Sequence, residues 1–229
     1  MTFQESPYQS ARPLEIERNS VLSQSFGWMF AGLLLTGGIA AFVSTNENVI
    51  RAVAGAWLPI VIGQFVLAIA IQGMIGRVSA TAALGLFFVF AASMGFTVGV
   101  IVSLYSVTSV VTSFFGASAM FGGAALYGYT TKRSLLGVGP ILFMGMIGVI
   151  VASVVNVFLG SSPIGWVIAL IGVVVFTGLT AYSVQRISYG DYLARTGSVE
   201  KAAVLGAIHL YISFINIFLF LLRLLGGRD

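Results

Sequence analysis

His209, Ser213, Asn216 and Arg223 stand at i, i+4, i+7 and i+14 in the run AIHLYISFINIFLFLLRLLG, residues 207–226. On helical spacing they share one face. His209 is the only histidine of the protein. Such a face can do three things: hydrogen-bond across helices, line a polar path for an ion, or take up a proton at the imidazole. Other apolar runs carry further neutral polar groups: Gln64 and Gln72, Ser153 and Asn156, and Tyr182, Ser183 and Gln185.

The missing residue types narrow the choice. All seven carboxylates (Glu5, Glu15, Glu17, Glu47, Asp191, Glu200 and Asp229) lie outside the apolar runs. Intramembrane acids are the usual carriers of protons and the usual calcium ligands. A carboxylate path through the centre of the molecule is therefore disfavoured. Lys132 and Lys201 also lie in connections, which excludes a buried Schiff-base lysine. One histidine and no cysteine exclude a zinc-protease centre, disulfides and thiol chemistry. Gly116-Ala117-Ser118-Ala119 together with His209 offers the two residue types of a serine-protease dyad. The tetrapeptide falls short of the Gly-x-Ser-Gly of rhomboid proteases, and helical Ser and Gly are ordinary packing residues in membranes. We expect no catalytic residue, no cofactor and no metal.

The elements that must position these groups follow from composition. The chain is 58% hydrophobic and 8% charged, with a mean hydropathy of +1.03. Soluble domains carry roughly 25% charged residues. Seven apolar runs, at about 24–44, 56–75, 80–103, 107–129, 136–158, 164–187 and 202–224, are each long enough to cross ~30 Å of hydrocarbon as a helix. The expected fold is an all-α polytopic membrane protein: a polar N-terminal tail, 1–20, and a seven-helix transmembrane domain, 21–229. The polar start is too long for a signal peptide, and the run behind it reaches spanning length. Pro59, Pro140 and Pro163 mark helix starts, and Ser198-Val199-Glu200 suits the N-cap of the last helix.

The net charge of +4 gathers at the ends of the apolar runs, which suits a lipid bilayer and not nucleic acid. Eight basic residues (Arg12, Arg18, Arg77, Lys132, Arg133, Arg186, Arg195 and Lys201) fall on the side of the N-terminus, and Arg51, Arg223 and Arg228 on the other. The positive-inside rule then predicts a cytoplasmic N-terminus and an external C-terminus. Small residues recur every fourth position at Ala91, Gly95 and Gly99, at Gly148 and Ala152, at Ala119 and Gly123, and at Ala124 and Gly128. Such faces suit close packing within one bundle or a dimer face.

Tyr182-Ser183-Val184-Gln185 resembles the Tyr-Asp-x-Gln of the sixth helix in the transmembrane Bax inhibitor motif family, including its bacterial YccA-like branch. Ile212-Ser213-Phe214-Ile215-Asn216, with Leu221-Leu222-Arg223 and Gly226, is similar to that family's Leu-Asp-Phe-Ile-Asn run and Leu-Leu-Arg-x-x-Gly close. Leu58-Pro59 followed by Gln64 resembles its Leu-Pro-x-x-x-x-Glu segment. The resemblance implies six helices packed around a central seventh. It also implies an association with calcium leak and, in the bacterial branch, modulation of the membrane protease FtsH. The family's paired aspartates act as a pH-sensitive gate. Here the dyad-equivalent positions are Ser183 and Ser213, and the acidic position of the second helix is Gln64.

Two close carboxylates share a proton and respond to pH; two serines hydrogen-bond at any pH. The sequence thus predicts a regulator or partner of membrane proteins without the carboxylate switch. The alternative is a cation (calcium) leak along a neutral path of Ser183, Ser213, Gln64, Gln185, His209, Asn216 and Arg223. Residual pH sensing through His209 is a third expectation. Counting 1.5 Å per residue from Ala202 puts Ser213 about 16 Å deep, near the midplane. The same counting puts Ser183 near the membrane edge.

Overall fold

The computed structural model describes the backbone of residues 7–226 and the side chains of residues 15–226. Tail residues 1–6, the side chain of Arg12, and Arg228 and Asp229 lie outside the described residues. The described chain forms α1 (Pro7–Ser44), α2 (Glu47–Gly55), α3 (Trp57–Met74), α4 (Ala80–Val102), α5 (Val107–Thr130), α6 (Gly139–Leu159), α7 (Ser162–Ser188), α8 (Asp191–Thr196) and α9 (Val199–Leu225). Seven are long and apolar enough to span a membrane: α1 from Glu15 onward, α3, α4, α5, α6, α7 and α9. They match the seven apolar runs. The polar stretch from Pro7 to Ser20, expected as tail, continues α1 without a break.

The helix ends follow local chemistry. Ser79, Ser106, Ser161 and Ser198 each cap a helix, their hydroxyls accepting from the backbone N–H of Ala82, Ser109, Ile164 and Lys201. Each cap is worth about 1 kcal/mol. Pro140 and Pro163 sit in the first turns of α6 and α7, where the missing N–H costs nothing. Gly160 ends α6 at φ +62°. Gly190 and Gly197, at φ +82° and +65°, bracket α8. The two short helices are additions to the expected connections. In α2, Asn46 caps the start by accepting from Val49 N, and Glu47 pairs with Arg51.

Helix α9 is the most enclosed span. In its most apolar stretch 72% is buried, against 50% in α7 and 11% in α3 and α6. It packs directly on α1, α4, α5 and α7, while α3 rests on α4 and α6 on α7. The post expected at the centre therefore has four spanning helices and the short α8 against it, with two outer helices bracing the four.

Small residues set the closest approaches. A Cβ on Gly95 would fall 2.7 Å from Ile39 Cβ, and one on Gly99 would fall 2.6 Å from Val43 Cβ. These glycines let α4 lie against α1. Gly128 packs on the backbone of Ala181 in the same way, joining α5 to α7. Gly123 and Gly148 have nothing within 4 Å, so those repeats lie on the outer surface of the bundle.

Polar side chains tie the centre. Thr36 on α1 donates to Ala91 O at 2.8 Å and lies 2.6 Å from the Tyr211 hydroxyl. One hydroxyl thus links α1, α4 and α9. Ser25 donates to Ala203 O at 3.1 Å, beside Gly206, where any added Cβ would run into the serine.

Candidate functional site

The polar stripe of α9 faces α7. At the N-terminal side His209 sits beneath Tyr192 of α8, ring centroids 5.4 Å apart. Its Nδ1 lies 2.8 Å from Leu205 O, one turn back. Further along, Phe220 packs over Gly172 and the Arg223 guanidinium over Gly165. Those two glycines are seven residues apart, two turns of α7, so one face of α7 receives two large side chains of α9. Asn216, one turn before Phe220, donates Nδ2 to Ile212 O at 2.8 Å. It satisfies itself within its own helix.

Ser183 and Ser213 are both buried, 4% and 3% exposed. No hydrogen bond among the described residues joins their hydroxyls. Ser183 faces Tyr192 and belongs to a cluster at the N-terminal end of the α7–α9 seam. There Arg186 Nε bonds Asp191 Oδ2 at 3.1 Å. The same guanidinium stands 5.1 Å from the Tyr192 ring centroid and 5.6 Å from that of Tyr182, a cation–π arrangement. Tyr192 is 1% exposed. Burial pushes its phenol up to about 12, against the pull of the Arg186 cation and the Ser183 hydroxyl. The α7–α8 turn that positions this tyrosine depends on the positive φ of Gly190.

The two glutamines act elsewhere. Gln64 Nε2 donates to Ser93 O at 2.9 Å and Thr97 Oγ1 at 2.8 Å. It ties α3 to α4 and stands on a helix that does not pack on α9. Gln185 clamps the α5–α6 connection: Oε1 accepts from Leu135 N at 2.7 Å and Nε2 donates to Arg133 O at 2.8 Å. No hydrogen bond among the described residues joins Gln64 to Ser183 or Ser213; those of Gln64 go to α4. Along the α7–α9 seam lie His209, Ser183, Ser213, Asn216 and Arg223, with Tyr192 as a lid at one end. Sequence reasoning missed Tyr192, Arg186 and Asp191 as a unit. The available signal was the Gly190 and Gly197 pair around Asp-Tyr-Leu-Ala-Arg-Thr, which marks a turn folded for a purpose.

Among the described residues, no three His, Cys, Asp or Glu side chains gather as metal ligands. The arrangement can hold neutral hydrogen bonds and one buried imidazole. A cavity of about 410 Å³ opens on the opposite side of α9, between α1, α4 and α5, and is lined by apolar groups such as Val98, Phe114 and Phe218. Neither Ser183 nor Ser213 lines it.

The chain matches the family model described as "Inhibitor of apoptosis-promoting Bax1" over residues 18–229. It is 39% identical over 213 residues to the "Inner membrane protein YbhL" of Escherichia coli (strain K12), covering 90% of this chain and 91% of that protein. It is 38% identical over 217 residues to an uncharacterized protein of Borreliella burgdorferi, covering 92% and 93%. An uncharacterized protein of Deinococcus radiodurans is 37% identical over 209 residues, covering 91% and 90%. With seven spanning helices and a family match that takes in all of them, this chain belongs to the Bax inhibitor-1 family.

Proposed function

We propose that the protein is a non-enzymatic, multi-pass protein of the bacterial inner membrane that regulates other membrane proteins. Its N-terminus is cytoplasmic on the positive-inside count. The observation that carries this reading is the pair Ser183 and Ser213. Both are buried, and no apolar span carries a carboxylate beside them. Such a pair has no charge to switch with pH and none to attract a cation. The polar segment 1–20 is the handle for a partner, and a membrane protease such as FtsH is the class of partner the family resemblance suggests. Affinity purification of the detergent-solubilised chain, with and without residues 1–20, tests this. Co-purification of the protease with the full chain alone is expected. Its absence from both preparations contradicts the proposal.

The second reading is a cation leak along α9. The observation in its favour is the stripe of His209, Ser213, Asn216 and Arg223 on the face toward α7, interrupted only by Phe220. Against it stand the Asn216 bond within its own helix and the Tyr192 ring over His209, which close the stripe at one end.

A further inference from the structure

Helix α5 packs on α7 and α9 and makes no comparable contact with α1 or α4, although only residues 103–106 separate it from α4. The space left open is the cavity of about 410 Å³. Its floor is α9, at Phe214 and Phe218. One wall is the row Leu33, Gly37 and Ala41 of α1, and the facing wall is the row Val107, Val111 and Phe115 of α5. Each row is spaced by four along one helix face. Val111 and Phe115 are 47% and 67% exposed on a helix long and apolar enough to span the membrane. The groove therefore opens sideways to lipid and not to water.

The chemistry of the walls excludes a polar occupant. Thr36 and Ser44 carry the aliphatic hydroxyls along them, and both are spent within the protein. Thr36 donates to Ala91 O and meets the Tyr211 hydroxyl; Ser44 donates to Ala41 O at 3.0 Å. A polar group placed between them would lose its water without gaining a partner. Tyr105, in the α4–α5 connection, is the remaining polar residue of the lining. It stands where the groove reaches the membrane surface, a level that tyrosines favour.

Length and width identify the occupant. Leu33 and Ser44, at the two ends of the α1 wall, are about 16 Å apart along the helix, close to half of a ~30 Å hydrocarbon core. The lining comes from the last turns of α1 and α4 and the first turns of α5, so the groove lies within one leaflet, the one away from the N-terminus. Spread over that length, the volume leaves a cross-section on the order of a few tens of Å², too narrow for another helix of ~10 Å diameter. We infer that the groove is a binding site for one acyl chain of a phospholipid in that leaflet, with the polar end of the lipid at Tyr105.

Two adjacent glycines of α1 give a matched test. A Cβ on Gly37 or on Gly38 meets nothing within 4 Å, but only Gly37 lines the groove. Native mass spectrometry of the full chain in detergent, with phosphatidylethanolamine and phosphatidylglycerol of identical chains as probes, should show one lipid retained and the two headgroups held alike. Gly37→Phe fills the groove and should weaken retention about tenfold, roughly the worth of two buried methylenes. Gly38→Phe should leave it unchanged. Loss of lipid from neither variant or from both equally overturns the site, as does a native chain that retains none. Retention of phosphatidylglycerol alone overturns the acyl assignment in favour of a headgroup site, and a dimer mass in place of bound lipid assigns the groove to a second copy. The native chain alone supplies a further reading should Gly37→Phe fail to fold. In phosphatidylethanolamine–phosphatidylglycerol vesicles, a trace lipid with a diazirine midway along one chain should label Val111 well above Val155. Those two valines are equally exposed, 47% and 49%, and each lies four residues from the same-side end of its helix. Equal labelling would mean ordinary contact with bulk lipid and overturns the site.

Discussion

Tyr192 of α8 lies over His209 of α9, with ring centroids 5.4 Å apart and planes inclined by 31°. The lone histidine of the chain is thereby roofed by a connection and bonded beneath to its own helix at Leu205 O. The groups around it are Arg186 and Arg195, both cationic, with Asp191 engaged by Arg186. The neighbourhood holds this face shut and leaves the imidazole no carboxylate of its own to exchange a proton with.

Tyr192 gives this end of the molecule a signature at high pH. Its phenol is raised to about 12 when folded and titrates near 10 when unfolded. Between pH 5 and 9 it is neutral in both states and adds no pH dependence. As pH rises from about 10 towards 12 the unfolded chain gains from ionisation and the folded chain does not, so stability falls. Thermal unfolding in detergent should show that loss in the native chain and a smaller loss in Tyr192→Phe. Equal losses would place Tyr192 in contact with water.

Gln185 fastens the α5–α6 connection through both atoms of its carboxamide. Gln185→Leu removes both bonds and leaves Leu135 N and Arg133 O to find other partners, a cost of about 1–3 kcal/mol. The connection contains Lys132 and Arg133. Limited trypsinolysis should cut there faster in the variant, with the spans intact. An unchanged cleavage rate would mean the clamp does not hold the connection.

Thr36 offers a graded test of the central packing. Tyr211→Phe removes one hydroxyl but leaves Thr36 bonded to Ala91 O, and should cost about 0.5–1.5 kcal/mol. Thr36→Val leaves the buried Tyr211 phenol, 0% exposed, without its partner and should cost more. Midpoints of thermal unfolding give the order directly. The reverse order would remove Thr36 as the link between α1, α4 and α9.

Gly95 and Gly99 test whether the small-residue stripe works within the chain. Gly95→Val places two methyl groups against Ile39 and Thr36 O, and overpacking of this kind costs about 1–3 kcal/mol or more. Gly148→Val, at an open outer position, should leave the unfolding midpoint nearly unchanged. A larger effect at Gly148 would show that its face is covered in solution.

These contrasts also show what the residues alone reveal. Seven spans were legible because hydropathy over twenty residues is a strong signal, and Ser198 and Pro163 were legible as helix punctuation. The six-residue α8 was not, since Asp191 and Arg195 read as a polar loop and nothing in period marks Tyr192 as buried. Gln64 and Gln185 were legible as polar groups in apolar runs, but their partners were not. Ser93 and Thr97 for the one, and the Arg133–Leu135 backbone for the other, are tertiary neighbours that spacing along one helix cannot show. The stripe of α9 was legible as a face; that it meets Gly165 and Gly172 of α7 was not, because glycines at a distance carry no sign of what fills them.

The central claim is that the seam between α7 and α9, with Ser183 and Ser213 buried in it, carries no pH-gated cation path. Calcium flux into proteoliposomes measures this directly. The native chain should give flux equal to that of empty vesicles at both pH 5.5 and pH 8, about a unit and more on either side of an ordinary imidazole. The double variant Ser183→Asp, Ser213→Asp should create flux that changes between those two pH values. Protein-dependent calcium flux through the native chain would contradict the account.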